Sequence, residues 1–463
     1  MRSRTLPLLS VLVLLLAGCP ANKPQSTTPP EESVKSVKPV DSKPGGNSKP
    51  AATETKTEPA VAEQEKPDDP ALIQALESAG AVVKLNEDKQ IVGVDLSRET
   101  LDKADRANEV FTALAKCESL QKLQASGPEI RDVHVEMISK CPELRELELL
   151  NSNIADPGFE HLIGLKHLES LYIRRANITD AGLETLSKIP SLLRLDLRHT
   201  NVTNAGMVHI AKLPKVRAVL LEGTKVGDAG LEPLSTIKSL TRLNIRGELY
   251  TDAAGKFIGA MKNLEVLEMD DTRIKDAGML ELVDLHKIRE LSLVRNRFKN
   301  PATAIIKGMP EMRSLQLRDN ITSDPCLDNI AELTKLVKLD LNEGNFSDKG
   351  MKNLENLKNL EELQLWSNNI TNDGLKHIAG LTKLKRLNLD STRVTDDGIK
   401  LLLELKDLED LNLKQTEVSN GIFQIIPEFK KLKRLSIENC PQVTQSAKNE
   451  YLQTAPNLKI LGP

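Results

Sequence analysis

The chain has 463 residues, 28% of them charged and only 2% aromatic, with 63 lysines and arginines against 66 aspartates and glutamates and a formal net charge of -3. That length admits two or three ordinary domains, yet a hydrophobic content of 39% almost without rings favours an aliphatic core stacked in layers over one built round large side chains. Near-balanced charge argues against a general nucleic-acid binder, whose affinity rests on cations facing phosphate.

The chain opens with MRSRTLPLLSVLVLLLAGCP, two arginines, an apolar run from Leu6 to Leu16 and small residues before a cysteine. This is the build of a secretory signal and is too short for a comfortable membrane span. The closing LAGC, residues 16–19, resembles the bacterial lipobox. That resemblance implies a lipoprotein signal peptide over 1–18, cleavage after Gly18 and lipid attachment to Cys19; the alternative is a plain signal peptide. Pro20, where an aspartate would favour the inner membrane, leaves the outer membrane open. Residues 20–69 contain no Leu, Ile, Met, Phe, Tyr or Trp and nine prolines. They cannot bury a core, so residues 19–69 are expected to be a disordered tether. Residues 70–90 are expected to cap the following domain, with a helix over 71–80.

From there the chain repeats. The pattern LxxLxL begins at Leu120, Leu144, Leu168, Leu192, Val216, Leu240, Leu264, Ile288, Met312, Leu336, Leu360, Leu384, Leu408 and Leu432, each step being 24 residues. Each copy continues into a segment such as ANITDAGLETL (176–186) or NNITNDGLKHI (368–378), with IVGVDL (91–96) and LKILGP (458–463) as irregular end copies. One copy, LDSTRVTDDG (389–398), holds three aspartates and invites a cation-binding reading. Only Asp396 recurs between copies, as Asp180, Asp228 and Asp276, so a threonine cap followed by an acid at a helix start explains it better than a metal loop. The recurrent glycine (Gly182, Gly206, Gly230, Gly278, Gly350, Gly374, Gly398) is expected to let the return helix pack closely on the sheet. Residues 298–327 carry Pro301 and Pro325 and put Cys326 in the glycine slot, which predicts an irregular outer surface there.

With the consensus LxxLxLxxTxITDxGLxxLxxL, residues 91–463 resemble a leucine-rich repeat protein. The resemblance implies an α/β solenoid, a horseshoe or arc with a concave parallel sheet and convex short helices. With the signal it points to the bacterial leucine-rich repeat lipoproteins, in the cell envelope on the periplasmic or cell-surface side. The last copy, IENCPQVTQSAKNEYLQTAPNLKIL, also resembles the repeats of F-box adaptors, but no F-box segment precedes it.

Cys117 and Cys141 share one core slot on adjacent copies, so a disulfide is geometrically open beside the reading as two buried thiols. No catalytic motif, metal-ligand spacing, cofactor or small-molecule substrate is indicated. What remains is surface. Tyr172, Arg174, Arg175, Arg194, Arg198, His199, Arg217, Arg242 and Arg246 are expected to form a basic patch on the concave face, open to an acidic partner or neutralised by Asp196 and Glu222. Trp366, the sole tryptophan, is expected to stand exposed on that face as an anchor or to fold into the core. These readings add up to a non-enzymatic, membrane-anchored protein-interaction module; the alternative is an adhesive component binding wall glycan.

Overall fold

The computed structural model describes residues 66–455 and 457–462, so the expected signal peptide, Cys19 and most of the tether fall outside the described residues. The described residues form a sheet of 17 strands. It begins with β1 (Val82–Leu85), β2 (Ile91–Thr100), β3 (Lys122–Ser126), β4 (Glu146–Leu150), β5 (Ser170–Tyr172), β6 (Arg194–Asp196), β7 (Ala218–Leu220), β8 (Arg242–Asn244) and β9 (Val266–Glu268). It continues with β10 (Glu290–Ser292), β11 (Ser314–Gln316), β12 (Lys338–Asp340), β13 (Glu362–Gln364), β14 (Arg386–Asn388), β15 (Asp410–Asn412), β16 (Arg434–Ser436) and β17 (Lys459–Leu461). From β3 to β16 every neighbour is parallel and every residue faces the one 24 positions on, as Leu123 faces Leu147 and Leu411 faces Leu435. The end copies break step: Val94 faces Leu123 and Leu435 faces Ile460.

The three apolar positions of LxxLxL explain this arrangement. In the copy at 360–365, Leu360, Leu363 and Leu365 are all fully buried, while Glu362 and Gln364 between them stay accessible on the opposite face. One strand of three residues cannot shield such leucines; stacked on its neighbours it closes a continuous aliphatic core. The N-terminal end is capped differently. Helix α1 (Pro70–Ser78) starts at Asp69, whose carboxylate accepts from the Ala71 N–H, and inserts Leu76 into the core. β1 then runs antiparallel to β2. Helices α2 (Ala104–Leu114) and α3 (Asp132–Ile138) cover the first copies. Among the described residues no helix is long and apolar enough to cross a membrane.

The return segments are short, from the helix at Asp180–Leu186 to 3-10 turns that run into one α-helical turn, Asn204–Gly206 into Met207–Ile210 and Asp228–Gly230 into Leu231–Leu234. Elements this short do not persist alone. A side-chain clamp between coils holds them. Thr179 caps its helix by accepting from the Ala181 N–H (3.4 Å). The Asp180 that follows spends its carboxylate on the next coil, accepting from the backbone N–H of Thr203 (2.8 Å) and from its hydroxyl (2.6 Å). Asp156 does the same to Thr179, Asp228 to Thr251 and Asp348 to Thr371. The recurrent glycine belongs to this clamp. A Cβ on Gly182 would stand 2.5 Å from the Asp156 Oδ1, so the missing side chain clears the neighbouring coil's carboxylate and not, as expected, the sheet. At 300–308, where the sequence predicted irregularity, the whole return is a nine-residue 3-10 segment.

A second regular feature joins the coils. The residue two after the last strand leucine has positive φ in copy after copy: Asn151 (53°), Arg175 (61°), His199 (57°), Asp271 (56°), Ser367 (56°) and Ser391 (54°), with Gly223 at 69°. A left-handed non-glycine residue costs roughly 1–2 kcal/mol. Here the turn lets its N–H donate to a carbonyl of the next coil, Arg175 to Arg198 (3.0 Å) and His199 to Glu222 (2.8 Å), which offsets that cost.

Candidate functional site

The aspartates of 389–398 are each committed within the protein. Asp396 accepts from the Ser419 N–H (3.0 Å) and hydroxyl, Asp390 from the Ser391 hydroxyl (2.7 Å), and Asp397 pairs with Lys400 (2.7 Å). The clamp thus accounts for the one acid that recurs. Among the described residues no three His, Cys, Asp or Glu side chains gather as a metal site.

Strand register sets the sheet face in columns. Ser170, Arg194, Ala218 and Arg242 stand side by side, as do Tyr172, Asp196, Leu220 and Asn244. The expected basic patch lies here but does not act as one field. Arg198 holds the buried Asp196 with two nitrogens, at 2.8 and 2.5 Å. Arg242 reaches Glu268 (2.8 Å) and Glu290 (3.4 Å), and Arg246 reaches Asp271 (2.8 Å) and Glu222 (3.8 Å). His199 lies 3.9 Å from Glu222. Of the two acids the sequence suggested as neutralisers, Asp196 takes one arginine and Glu222 is shared; Glu268, Glu290 and Asp271, from later copies, do the rest.

Four arginines of the expected patch have no ion pair among the described residues. Arg194 is exposed and donates only to the Ser170 hydroxyl (3.3 Å). Arg175, exposed at its left-handed turn, donates to the Asn151 side-chain oxygen (3.3 Å). Arg217 is exposed one residue before β7, beside the face and not on it. Arg174 is half-buried, and its Nε is enclosed with no acceptor. Half-buried Tyr172 lies among them on β5.

Trp366 occupies neither expected place. The side chain is half-buried, with the Arg318 guanidinium 5.0 Å from the ring centroid, a cation–π contact between positions two coils apart. Arg318 is itself held by Glu343 (3.0 Å), and the Trp366 backbone N–H donates to the Asn342 side chain (2.7 Å). The sequence places Asp340 among the polar groups around Trp366, with Gln364, Asn388 and Asp390, but does not reveal its burial; it stands two strands of the column away from Asn388. Its side chain accepts from the Asn342 N–H (3.0 Å), it has no ion pair among the described residues, and burial pushes its carboxyl above the usual range.

Cys117 and Cys141 are buried free thiols here, so the disulfide is not formed; they donate to the Ala113 and Leu114 carbonyls at 3.6 and 3.3 Å. Burial pushes both thiols up to about 12, which suppresses the reactive thiolate. Cys326 fills its glycine slot as a third buried thiol.

Residues 164–187, 188–211, 332–354, 356–379 and 380–403 match the family described as Leucine Rich repeat. Compared with curated proteins, the sequence finds no match. Among solved structures the chain is similar to an internalin of Listeria monocytogenes, at 22% identity over 71% of this chain and 88% of that one, with a TM-score of 0.55. It is also similar to a leucine-rich repeat protein of Leptospira interrogans, at 21% identity over 86% of this chain and 99% of that one, again with a TM-score of 0.55. These likenesses bear on the fold, which is a leucine-rich repeat solenoid.

Proposed function

We propose that this leucine-rich repeat protein is a non-enzymatic interaction module of the bacterial envelope. Lipid on Cys19 holds it outside the cytoplasm, and the N-terminal part of its sheet face receives an acidic segment of a protein partner. One observation carries the binding reading: in the column of Ser170, Arg194 and Ala218, charge pairing between strands lapses at β5 to β7. To either side, cations of the same column meet an acid on a neighbouring strand, Lys122 with Glu146 and Arg242 with Glu268. Arg174, Arg175, Arg194 and Arg217 have no such acid, and Tyr172 adds an amphipathic ring beside them. Arginine forks satisfy carboxylates two bonds at a time, so an acidic partner supplies what the protein itself omits. The anchoring reading rests on the LAGC motif and on the tether that follows it.

Affinity capture from membranes with the full chain tests both. Arg194→Glu combined with Arg217→Glu should weaken capture of the recovered partner tenfold or more, about 1.4 kcal/mol, at unchanged melting temperature. Equal capture by the double variant refutes the arginine site. Cys19→Ala should leave the membrane fraction or stay uncleaved, and normal processing with retained anchoring refutes the lipid.

A further inference from the structure

The C-terminal half of the sheet face is built on the opposite plan. Most of its rim charges cancel one another: Arg386 pairs with Glu362 (2.5 Å), Arg434 with Asp410 (3.1 Å) and Lys414 with Glu438 (3.1 Å), while Lys338 at one end has no ion pair among the described residues. Between these rims the register sets Asp340, Gln364, Asn388 and Asn412 side by side. Two shallow depressions, of about 280 and about 220 Å³, lie over this column and share Gln364, which joins them into one trough.

The trough keeps hydrogen-bonding capacity that the protein does not use. Asn388 donates to Gln364 (2.9 Å), which fixes both amides. The Asn412 oxygen accepts from the Lys414 N–H (3.1 Å), but among the described residues its amide NH₂ has no acceptor. Asp340 engages one oxygen and leaves the other open. Trp366 lines neither depression but follows Gln364 by two residues on the same coil; its indole N–H likewise has no acceptor among the described residues, and the ring is steadied by Arg318. Desolvation outweighs the nearby Arg318 charge and makes Asp340 a cost to the fold, and such groups concentrate where a ligand repays them.

We propose that this trough binds an uncharged, hydroxyl-rich chain, an oligosaccharide lying across the strands with Trp366 at its edge. A hydroxyl donates and accepts at once, which answers a row that offers open donors at Asn412 and Trp366 and an open acceptor at Asp340. Rims that cancel except at Lys338 give a peptide of either net charge little field to follow, in contrast to the arginines of β5 to β7. A rigid ring beside polar groups suits the apolar face of a sugar. Strand neighbours lie about 4.8 Å apart, so successive sugars meet successive amides.

Trp366 is the only tryptophan, so its emission reports on this site alone. The full chain is titrated with neutral hexasaccharides of glucose, of mannose and of N-acetylglucosamine while Trp366 fluorescence is read. At least one should produce a saturable change. Asn412→Ala and Gln364→Ala should each weaken it tenfold or more with unchanged melting, while Arg194→Glu leaves it as in wild type. No saturable change with any of the three sugars overturns the proposal. So does saturable binding that survives both amide substitutions. Loss of a short peptide's binding in Asn412→Ala, without sugar binding, assigns the trough to a peptide and overturns it as well.

Discussion

At the scale of single residues, the aspartate after the threonine cap does more than favour a helix start. Asp180 satisfies a backbone N–H and a hydroxyl of Thr203 in the next coil, so removing it leaves a part-buried amide without a partner. Asp180→Ala should therefore cost about 1–3 kcal/mol, read as a lower urea midpoint by circular dichroism. Asp180→Asn should cost less, because Asn204 and Asn372 already accept from the Gly227 and Thr395 N–H groups at 2.8 and 3.0 Å in their own copies. Equal losses in both variants would return the residue to a purely helix-dipole role. The same scale separates the arginines: Arg198, Arg242 and Arg246 spend their charge inside the protein, whereas Arg174, Arg175, Arg194 and Arg217 keep theirs.

Among the elements, the junction of α2 and α3 carries a pH dependence. His134 is buried, its ring tilted against Phe111 with centroids 4.8 Å apart. Its Nδ1 accepts from the Arg131 N–H (3.0 Å), which puts the proton on Nε2, facing the Asn108 oxygen (2.9 Å). Burial and then the Arg131 charge lower its pKa below the ordinary 6.5. The sign follows: as pH falls through 6.5, the unfolded chain takes up a proton that the folded ring refuses, so this junction loses stability on acidification and is unaffected above that range. Protection over 104–138, the exchange rate divided into its intrinsic value at each pH, should fall as pH drops from about 7.5 to about 5.5, less so in His134→Gln; a flat protection profile in wild type would contradict this. Much of the element scale was legible in the sequence. The leucine period gave strand positions and register, because burial of LxxLxL depends only on the order of side chains. What the period does not reveal is where a polar side chain ends. The partner of Asp180 lies 23 residues ahead, while Arg246 reaches 25 ahead to Asp271 and back to Glu222, across coil boundaries whose geometry the consensus leaves open. The left-handed column was hidden because Arg175, His199 and Ser367 do not signal positive φ. Gly127, Gly223 and Asn151 in the same slot were the available sign.

For the whole molecule, stacking implies that a complete repeat is the unit of tolerance. Deleting 360–383 removes one strand and one return while Leu339 and Leu387 inherit each other's register, so a shorter solenoid should fold. Deleting 12 residues from that span should break the stack, and equal loss of circular dichroism in both constructions would contradict the register. The solenoid also sorts its sheet face along its length, with free arginines on the early strands and neutral amides on the later ones, so a partner is bound by position as well as by charge. Trp366 illustrates the limit of reading such a face from sequence: its slot was evident, but the cover from Arg318 two coils back was not, since side-chain reach across strands is decided by packing. The central claim is that the early strands hold the partner. Hydrogen exchange of the full chain, alone and with the captured protein, tests it most directly. Slowed exchange confined to 170–176, 194–200 and 216–223 is the predicted result; protection confined to the return segments, or to the strands beyond β9, would contradict it.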